Sequence, residues 1–373
     1  MAAGKILMVG PYPPPEGGWS TAIREEREEL EARGIACRVL NLGANRCVPS
    51  EDYLCVRGGF DLVAKLLRHG FAGYVFRLHM NGDSRKGIGI ALLASFVGVL
   101  CLRRSILSFH AGVLQRYFPH RGNPLLGAMW CFVFNLPAIV VCDSPEVRDR
   151  IRRYRRDRRG LHNVSPFSYR RVNYTPVSLN RTVETFLSTH DPVLFSYFAY
   201  RPEYALDMLF EALRRLQARF RAIGLLAVDD RSHPDSAVAA GVKELLADER
   251  LGGAVLATGE VGRGEFLTLL SRADLYIRTP MTDGVCSSIL ESLHVKVPVV
   301  ASDNGSRPSG VVTYDSRSVD DMTSTLIDAI ENREKRGRSL GDPAVAAEDG
   351  VGRLADIIEV YVRRRSAEKA KQV

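Results

Sequence analysis

The sequence predicts an α/β protein built from two doubly wound parallel sheets. Short apolar runs alternate along the chain with longer segments of helical periodicity, which is the pattern of parallel strands joined by helices. The alternation stops once, over residues 164–189, and then resumes, which indicates two domains. The chain has 373 residues, of which 46% are hydrophobic and 25% are charged, so its composition excludes a disordered or collagen-like chain.

The first half begins with a strand and a helix separated by a Pro/Gly loop. Lys5–Val9 is an apolar run typical of a buried parallel strand, and the helix after it begins near Ser20 and ends at Gly34. Further strands are expected at residues 36–40, 74–79, 105–109 and 138–142, and further helices at residues 60–69, 88–101, 123–135 and 145–154. The uncharged segment Gly87–Leu102 is shorter than a membrane span of about 20 residues. We therefore expect a buried helix there, with a membrane-inserted segment as the alternative.

The second half repeats the alternation. Its strands are expected at residues 193–198, 222–228, 253–257, 275–278 and 297–301, and its helices at residues 206–220, 235–248, 265–272, 287–293 and 319–331. A final amphipathic helix is expected at residues 351–368. These elements predict domains over residues 1–170 and 191–350, a linker over 171–190, a C-terminal helical segment over 351–373 that crosses back to the first domain, and a cleft between the domains.

The basic charge of the chain is concentrated in one segment. The formal net charge is +8, and eight of the twelve residues from Arg148 to Arg159 are arginines. Such a run favours a surface held to anionic lipid, where each basic residue contributes about 1 kcal/mol. The arginines expected in this membrane patch are Arg152, Arg153, Arg155 and Arg156. A solvated helix face is the alternative, and nucleic acid is not expected because no base-stacking motif accompanies the run.

The cysteines and the N-terminus favour a cytoplasmic protein. The seven cysteines are scattered and form no CxxC pair, which fits a reducing compartment better than a disulfide framework or a zinc site. The segment Met1–Gly10 lacks the long apolar run of a signal peptide. Together with the arginine run, this predicts a cytoplasmic protein that is peripheral on the inner face of the plasma membrane. No metal and no cofactor are expected, since no His/Cys cluster has ligand spacing.

Two loops at predicted strand ends carry candidate ligand groups in the first half. Gly17 and Gly18 allow a close approach of the backbone to a ligand, and the helix N-terminus after them favours an anion. His79, Asn81 and Lys86 follow another strand end and are expected to meet hydroxyl or phosphate groups of a substrate. Plain surface turns are the alternative for both loops.

The segment from Thr279 to Glu291 again joins a strand to a helix. Asp283 and Glu291 are separated by seven residues, and Ser287 and Ser288 fall near the start of the helix. Hydroxyls and free N–H groups at that position bind phosphate, and a glutamate one turn further on accepts hydrogen bonds from vicinal hydroxyls. The alternative is that Ser287 caps the helix and that Glu291 is a solvated helix residue.

This segment resembles the signature of the retaining family 4 glycosyltransferases, which is Glu-x7-Glu followed by Gly-x-Pro-Val-Val-Ala. Here the motif is Asp283-x7-Glu291, followed by Lys296-Val-Pro-Val-Val-Ala301. The resemblance covers nearly the full length, through the glycine loop that ends at Gly18, the strand-end motif Phe109-His110-Ala-Gly112 and the loop Thr258-Gly259-Glu-Val261. The segment from Arg278 to Gly310 is also similar to a subgroup linked to bacterial surface-polysaccharide assembly.

The resemblance implies a GT-B fold, with two Rossmann-like domains facing a cleft, the donor held by the C-terminal domain and the acceptor by the N-terminal one. It implies that Glu291 binds the donor ribose and that His110 and Asp283 hold the transferred sugar as catalytic residues. The further donor-binding residues that it implies are Gly17, Gly18, Arg201, Gly259, Val261, Arg278, Ser287 and Ser288. His79, Asn81 and Lys86 would then lie on the acceptor side.

The sequence departs from the family in its phosphate clamp. The best register places Ala199 and Tyr204 where the family has an Arg and a Lys. Arg201, Arg278 and Arg307 are the candidates to replace them. In addition, Asp229 stands at a position where a glycine turn is common, and Cys286 replaces a glycine.

We therefore expect a retaining, metal-independent glycosyltransferase that uses a nucleotide-diphosphate sugar of the UDP or GDP type. The expected acceptor is a lipid-linked oligosaccharide or a polysaccharide, and the expected further partner is an anionic membrane surface. The missing clamp keeps a catalytically inactive scaffold or a nucleotide-sugar-binding protein open as the alternative. A nucleotide-sugar epimerase of the same fold is a further alternative.

Overall fold

A computed structural model describes residues 4–14, 18–113, 115–120, 122–164, 172, 174–231, 234–249, 251, 253–284, 286–305, 307–340 and 349–370. The chain divides into two compact units. The first unit comprises Met1–Ser168 and Glu348–Val373, and the second comprises Tyr169–Ala347. Each unit contains one six-stranded parallel sheet formed by described residues.

The sheet of the first unit has the strand order β2-β1-β3-β4-β5-β6. From β1 the chain therefore adds β2 on one side and β3 to β6 on the other, so the strand order reverses between β1 and β3. Its strands are β1 (Lys5–Gly10), β2 (Ala36–Asn41), β3 (Val75–Met80), β4 (Ile106–Phe109), β5 (Ile139–Cys142) and β6 (Leu161–Asn163). The helices of this unit are α1 (Gly18–Ala32), α2 (Gly59–Phe71), α3 (Arg85–Leu100), α4 (Pro124–Asn135), α5 (Pro145–Ile151) and α13 (Gly350–Ala370).

Helices cover both faces of this sheet. On one face, α2, α3, α4 and α5 pack their buried side chains against Leu7, Leu78, Phe109 and Val140. On the other face, α1 and α13 pack against Ile6, Met8 and Ile106. The C-terminal helix α13 is thus part of the first unit, because its buried residues complete the core on the α1 side.

The sheet of the second unit has the strand order β12-β11-β10-β7-β8-β9, and its direction reverses between β7 and β10. Its strands are β7 (Val193–Ala199), β8 (Gly224–Asp230), β9 (Val255–Ala257), β10 (Leu275–Arg278), β11 (Val299–Ser302) and β12 (Val311–Tyr314). Its helices are α6 (Arg181–Thr189), α7 (Leu206–Leu216), α8 (Ser236–Leu246), α9 (Arg263–Ser271), α10 (Ser287–His294), α11 (Val319–Glu331) and α12 (Arg333–Ser339). The helices α7, α8 and α11 pack their buried side chains against those of β7, β8 and β10, and together they form one hydrophobic core.

The predicted fold class is confirmed, since both sheets are parallel and carry interleaved helices. The interpretation of residues 164–189 as a segment without elements is wrong over Arg181–Thr189, where α6 buries Val183 and Phe186. The strands β6 and β12 and the helix α12 were also not predicted. The strand β6 contains a single apolar residue, Leu161, and β12 follows β11 with no helix between them, so the alternation of apolar strands and helices does not indicate either one.

Helix α3 forms where the uncharged segment was expected to give a buried helix, but only one side of it is buried. Ala91, Ala94 and Val97 face the core, whereas Phe96, Val99 and Leu100 are exposed. Among the described residues, no helix combines the length and the apolar character that a membrane span requires.

Candidate functional site

Each sheet has a crevice-forming position at the point where its strand order reverses. In open parallel sheets, ligands bind outside the carboxyl ends of the strands at this position. In the first unit it lies between the ends of β1 and β3, beside His79. In the second unit it lies between the ends of β7 and β10, beside Arg278. Both positions carry residues that the sequence singles out.

In the second unit, two buried arginines share one carboxylate. Arg278 Nε donates to Asp283 Oδ2 at 2.9 Å, and Arg307 Nη1 lies 2.8 Å from Asp283 Oδ1. Asn304 Nδ2 donates to the same Oδ1 at 3.1 Å. Two guanidinium groups on one carboxylate leave one positive charge in excess at the end of β10. This arrangement suits an anionic group of a ligand.

Aromatic rings hold Arg278 in place. Its guanidinium carbon lies 5.3 Å from the ring centre of Tyr204 and 5.8 Å from that of Tyr197, and Nη1 donates to the carbonyl of Tyr197 at 3.2 Å. Burial opposes its charge, but Cys286, Tyr204 and Asp283 hold the pKa of Arg278 well above its ordinary value. Tyr204 stands at the position where the resemblance implies a basic residue. In the structure, the guanidinium of Arg278, at the end of β10, lies against this tyrosine.

The start of α10 presents Ser287 and Ser288. Ser287 is the first residue of the helix and is half-buried. Ser288 Oγ lies 2.6 Å from the hydroxyl of Tyr276 and 3.0 Å from Cys286 Sγ. Cys286 is the residue directly before α10, and its thiol contacts Ser288. The thiol therefore lies beside one of the hydroxyls that are predicted to bind phosphate.

Glu291 is 2% exposed and lies one turn into α10. Its two oxygens accept from the guanidinium of Arg263 at the start of α9, with Nη1 at 3.0 Å from Oε2 and Nη2 at 2.8 Å from Oε1. This fork geometry fixes the carboxylate in one orientation. The alternative of a solvated helix residue is wrong for Glu291. Each carboxylate oxygen retains a further lone pair for another donor.

Asp229 anchors the loop that contains Gly259 and Val261. The sequence analysis noted this residue only as a departure from the family pattern. Asp229 is fully buried at the end of β8, and it accepts from the Gly259 N–H at 2.6 Å and from the Tyr200 hydroxyl at 2.7 Å. Gly259 has a φ of +76°, a conformation that favours glycine. Val261 is half-buried in the same loop. An aspartate at this position therefore fixes the backbone of the loop from β8.

Arg201 lies in the turn after β7, before a short 3-10 helix over Pro202–Tyr204. Its backbone N–H donates to the carbonyl of Ala199 at 2.8 Å. The structure thus keeps Arg201 close to the sheet edge, but it places the buried guanidiniums of Arg278 and Arg307, not that of Arg201, on Asp283.

In the first unit, three consecutive strands deliver side chains to one point. His79 from β3 and His110 after β4 lie with their rings nearly parallel, and His79 Nδ1 is 3.1 Å from His110 Nε2. Asp143 follows β5, and its Oδ2 lies 3.0 Å from His110 Nδ1. The ring centre of Trp19 from α1 lies 5.6 Å from that of His110. The structure therefore joins two predicted residues, His79 and His110, with two that were not predicted.

A buried ion pair lies behind His79. Arg77 Nε donates to Glu26 Oε1 at 2.6 Å, and its Nη2 donates to Glu26 Oε2 at 3.0 Å and to Ser108 Oγ at 2.7 Å. His79 Nε2 is 3.8 Å from Glu26 Oε2 and has no hydrogen-bond partner among the described residues. Burial, Arg77 and His110 together hold the pKa of His79 well below its ordinary value.

Among the described residues, the other predicted residues of the first unit form no side-chain hydrogen bond with His79 or His110. Asn81 Oδ1 accepts from the Asp83 N–H at 3.2 Å, which forms a turn directly after β3. Lys86 is exposed in the first turn of α3. Gly18 is the first residue of α1, next to Trp19. Gly17 lies outside the described residues.

The predicted arginine patch is only partly a surface. Arg152, Arg153 and Arg156 are exposed, but Arg155 is 3% exposed. The guanidinium of Arg155 donates to the carbonyls of Phe134, Pro137 and Ala138 at the end of α4. Burial lowers the pKa of Arg155 to about 10. Its prediction as a lipid contact is wrong, because its side chain is buried and its guanidinium donates to backbone carbonyls inside the unit.

Within the described ranges, no group of three or more His, Cys, Asp or Glu side chains is arranged to hold a metal ion.

Residues 182–339 match the family model of the glycosyl transferases group 1. These residues include α10 with Glu291, the turn with Asp283 and the loop with Gly259. No curated protein matches the chain in sequence.

Solved structures match over nearly the whole chain. HepE from Anabaena in complex with UDP-glucose has a TM-score of 0.68 at 14% identity, covering 99% of this chain and 100% of its own. The sucrose-phosphate synthase of Thermosynechococcus elongatus has a TM-score of 0.69 at 14% identity, covering 98% and 100%. The fold is GT-B. A putative UDP-N-acetylglucosamine 2-epimerase from Listeria monocytogenes has a TM-score of 0.62 at 14% identity, covering 98% of each chain.

Sequence analysis missed Asp143, Glu26, Arg77, Trp19 and Arg263. Asp143 carried a usable signal, because it follows the apolar strand β5 as His110 follows β4. Arg77 also carried a signal, because it places a charge in a strand that is apolar apart from His79. Glu26, Trp19 and Arg263 carried none, since each lies on a helix whose pattern does not distinguish it.

Proposed function

We propose that this protein is a retaining glycosyltransferase that takes its donor sugar from a nucleotide diphosphate. The observation that carries the proposal is the turn from β10 to α10. It lies at the reversal point of the second sheet, carries Asp283 and leads into Ser288 and Glu291 of α10, and falls within the segment that matches the glycosyl transferases group 1. The second unit binds the donor, and the first unit binds the acceptor.

The buried arginines supply the charge of the missing clamp. Arg278 and Arg307 carry two positive charges against the single negative charge of Asp283. We assign them to the diphosphate, together with the hydroxyls of Ser287 and Ser288 and the N–H groups at the start of α10. Because fixed guanidiniums stabilise the departing diphosphate, the reaction proposed here needs no divalent metal ion.

Glu291 binds the vicinal hydroxyls of the donor ribose. Arg263 holds both of its oxygens from one side, so the remaining lone pairs have a fixed direction. Gly259 and Val261 in the loop after β9 contact the base. This loop is held by Asp229 and therefore offers preformed backbone groups to the nucleotide.

The proposed chemistry is a substitution at the anomeric carbon on the face that the leaving group vacates. The bond from this carbon to the diphosphate oxygen breaks, and the acceptor hydroxyl oxygen forms the new bond. The hydroxyl proton passes to the diphosphate oxygen. His110 and Asp283 contact the transferred sugar and hold its orientation. Water is excluded by bound substrate and protein groups, which keeps hydrolysis slow.

A thermal-shift series tests donor binding. The full chain is screened against UDP, GDP, ADP and their sugar conjugates, with and without EDTA, because a ligand of the folded state raises the apparent melting temperature. We expect one nucleotide class to raise it, with EDTA making no difference. Glu291→Gln should reduce the shift and Glu291→Ala should reduce it further, whereas Glu334→Gln, at an exposed glutamate of α12, should leave it unchanged. Equal shifts in all four proteins would contradict the assignment of Glu291.

The acceptor is proposed to be a lipid-linked oligosaccharide or a growing polysaccharide, reached by a peripheral protein at the inner face of the plasma membrane. An exposed apolar surface supports this placement. We call it the apolar face, and its residues are exposed on, or directly after, the contacting helices α2, α3 and α4: Phe71, Phe96, Val99, Leu100, Leu102, Leu125 and Phe132. No charged residue occurs over residues 87–102 or 122–142, which contain most of α3 and all of α4.

Arginines lie beside the apolar face. The backbone N–H of Arg156 donates to Asn135 Oδ1 at 2.9 Å, so the arginine run reaches the last residue of α4, the helix that carries Phe132. Arg103 follows Leu102 and lies beside the turn after Phe71. Large exposed apolar patches with basic neighbours are typical of proteins that lie on anionic membranes.

A second candidate function is nucleotide-sugar binding without transfer. It is favoured by the fact that the carboxylates of both Asp283 and Glu291 are already paired with arginines. Donor binding without turnover across lipid-linked and polysaccharide acceptors would support it. Product analysis in the absence of an acceptor distinguishes sugar transfer and nucleotide-sugar binding from the activity of an epimerase. An epimerase would convert the nucleotide sugar without any acceptor.

A further inference from the structure

Two arginines of the first unit lie against the same aromatic ring. The guanidinium carbon of Arg85 lies 5.2 Å from the ring centre of Tyr117, and that of Arg116 lies 5.4 Å from it. Both arginines are exposed, and Tyr117 is half-buried. Among the described residues, neither guanidinium donates a hydrogen bond or forms an ion pair. The two positive charges therefore meet at one ring, with their N–H groups open to a ligand.

The loops that carry this pair of arginines are bound to each other. The Tyr117 N–H donates to the carbonyl of Gly82 at 3.0 Å, and the Arg116 N–H donates to Asp83 Oδ1 at 2.6 Å. A Cβ added at Gly82 would lie 2.9 Å from the Cβ of Phe118, so this close approach requires glycine. The loop after β4 is therefore fixed against the loop after β3 before any ligand binds.

The arginine pair lies at the carboxyl edge of the first sheet. Its loops follow β3, which contains His79, and β4, which is followed by His110. Ligands of open parallel sheets bind at this edge. Arg85 is the first residue of α3, which Ser84 caps with its side chain, and Lys86 comes next. The positive end of the helix dipole and the lysine add to the charge of the arginines.

The charges at this position favour a diphosphate. Residues 81–86 and 115–118 contain three cationic side chains but only one carboxylate, that of Asp83. Two guanidiniums at one ring repel each other, so an anion that contacts both is favourable. The planar fork of N–H groups on an arginine matches the oxygens of a phosphate. A diphosphate has two phosphate groups and offers one to each of Arg85 and Arg116.

An apolar stripe leads away from the arginine pair along α3. Residues 87–102 contain no charged residue. Exposed and half-buried residues recur at helical spacing on one side of the helix, and we call them the apolar stripe: Gly89, Leu92, Leu93, Phe96, Val99 and Leu100. The stripe ends in the apolar face. A hydrocarbon chain gains from contact with such a surface, whereas the hydroxyls of a polysaccharide do not.

We propose that Arg85 and Arg116 bind the diphosphate of a lipid-linked acceptor, whose lipid chain lies along the apolar stripe. Tyr117 is a positioning residue that holds both guanidiniums. This inference rests on the proposed function and narrows its acceptor to a sugar that is joined to a lipid through a diphosphate. A polysaccharide without such a group is not the acceptor.

Two tryptophans allow binding in the first unit to be measured separately. Trp19 and Trp130 are the two tryptophans of the chain, and both belong to the first unit. Trp130 Nε1 donates to the carbonyl of Tyr117 at 2.8 Å, so the NMR signal of its indole N–H reports on the arginine pair. A diphosphate bound in the second unit meets no tryptophan of that unit. Trp19→Phe assigns the two signals.

Farnesyl diphosphate is the probe, titrated into the full chain. We expect a saturable shift of the Trp130 signal. In Arg85→Met/Arg116→Met the affinity read from this signal should fall at least about tenfold, since charge-assisted hydrogen bonds are lost. Both residues are exposed, so the core stays intact. Arg85→Lys/Arg116→Lys should bind with intermediate affinity, because lysine keeps the charge but not the fork.

Arg57→Met/Arg68→Met is the matched control. It removes two exposed arginines of the same unit and should bind farnesyl diphosphate as the unaltered protein does. Equal affinities in the two methionine variants would overturn the proposal. So would a Trp130 signal that farnesyl diphosphate does not move in the unaltered protein.

Inorganic pyrophosphate and farnesol separate the two parts of the ligand. Pyrophosphate has the charges without the lipid, and farnesol has the lipid without the charges, so both should bind more weakly than farnesyl diphosphate. Pyrophosphate that binds as tightly as farnesyl diphosphate would refute the lipid contact. Farnesol that binds as tightly would refute the diphosphate site.

A transfer assay separates this inference from the proposed function. With a lipid-diphosphate-linked sugar as acceptor, Arg85→Met/Arg116→Met should raise the KM for the acceptor and leave the KM for the donor unchanged. An unchanged acceptor KM with normal turnover would refute the inference and leave the proposed function standing. If the unaltered protein binds farnesyl diphosphate through these arginines but transfers no sugar from any donor, the proposed function fails and the diphosphate site remains.

Discussion

At the scale of single residues, arginine has two different roles in this chain. Some arginines are exposed and carry charge at the surface, whereas Arg104 and Arg155 end the helix α4. Arg104 donates to the carbonyls of Asn135, Leu136 and Pro137, and Arg155 donates to those of neighbouring positions. A helix of largely apolar residues thereby has its last carbonyls satisfied inside the unit.

We predict that Arg155→Met destabilises the protein and that Arg153→Met does not. Methionine keeps the apolar stem of the arginine but removes the donors, which leaves buried carbonyls unsatisfied at a cost of about 1–3 kcal/mol for each group. Arg153 is exposed and provides the matched control. The free energy of unfolding from urea titration checks the prediction, and similar values for the two variants would contradict it.

The proposed phosphate site gives a second prediction at this scale. Arg307→Met should weaken binding of a nucleoside diphosphate at least about tenfold, since a charge-assisted hydrogen bond contributes about 1.5–3 kcal/mol. Arg317→Met removes an exposed arginine of the same unit and should leave binding unchanged. Isothermal titration calorimetry measures both affinities. An affinity of Arg307→Met equal to that of the unaltered protein would exclude Arg307 from the diphosphate site.

At the scale of elements, α3 and α4 determine the surface character of the first unit. A helix that is apolar on all sides is normally buried on all sides. Here α2, α3 and α4 cover one sheet face in a single layer, so the outer sides of α3 and α4 have no protein layer above them among the described residues. Phe132 is 62% exposed and Leu102 is 85% exposed as a result.

We predict that the double variant Phe96→Ser/Phe132→Ser loses binding to vesicles that contain phosphatidylglycerol. Both side chains are exposed, so their loss should remove apolar area from the lipid contact without opening a cavity in the core. Val360→Ser, at an exposed position of α13, is the matched control and should bind as the unaltered protein does. Co-sedimentation with vesicles measures the bound fraction.

Salt and lipid composition distinguish the possible causes of such binding. If the arginines beside the apolar face contribute, binding should weaken as the salt concentration rises and should be weaker on vesicles of phosphatidylcholine alone. A double variant that sediments with vesicles as well as the control does would show that the apolar face is not the lipid contact. Self-association that disappears in the double variant would instead indicate a second copy of the chain on this face.

At the scale of the whole molecule, three histidines of the first unit have a depressed pKa. These are the buried His69 and His79 and the half-buried His162, and burial is the main cause that lowers the pKa of each. In the unfolded chain, a histidine has a pKa of about 6.5. Below that value the unfolded state binds more protons than the folded state does, so stability falls as the pH falls.

We predict that the first unit loses stability between about pH 6.5 and pH 5, above the range in which ordinary carboxylates titrate. Urea unfolding at pH 7.5 and pH 5.5, followed by the fluorescence of Trp19 and Trp130, which both belong to the first unit, measures the change. His162→Gln should reduce the difference between the two pH values, whereas replacement of an exposed arginine such as Arg153 should leave it unchanged. A free energy of unfolding that is equal at both pH values would refute the prediction.

The sequence by itself determined the fold class, most elements and the strand ends where ligand groups lie. These features depend on local periodicity and on residues a few positions apart, such as Asp283 and Glu291, which one turn and one helix bring to the same edge. The arginine run and the uncharged segments were also visible as patterns. Their burial was not, because a side chain's exposure depends on which other elements cover it.

Only the tertiary structure decided which charged groups meet. Glu26 and Arg77 are 51 residues apart, Arg263 and Glu291 are 28 apart, and His110 and Asp143 are 33 apart. These pairs form because strand order and helix placement bring distant segments together, and that order is fixed by the packing of whole layers. The sequence therefore indicated where a candidate site lies, while the packed sheets determined which arginine lies on each of its carboxylates.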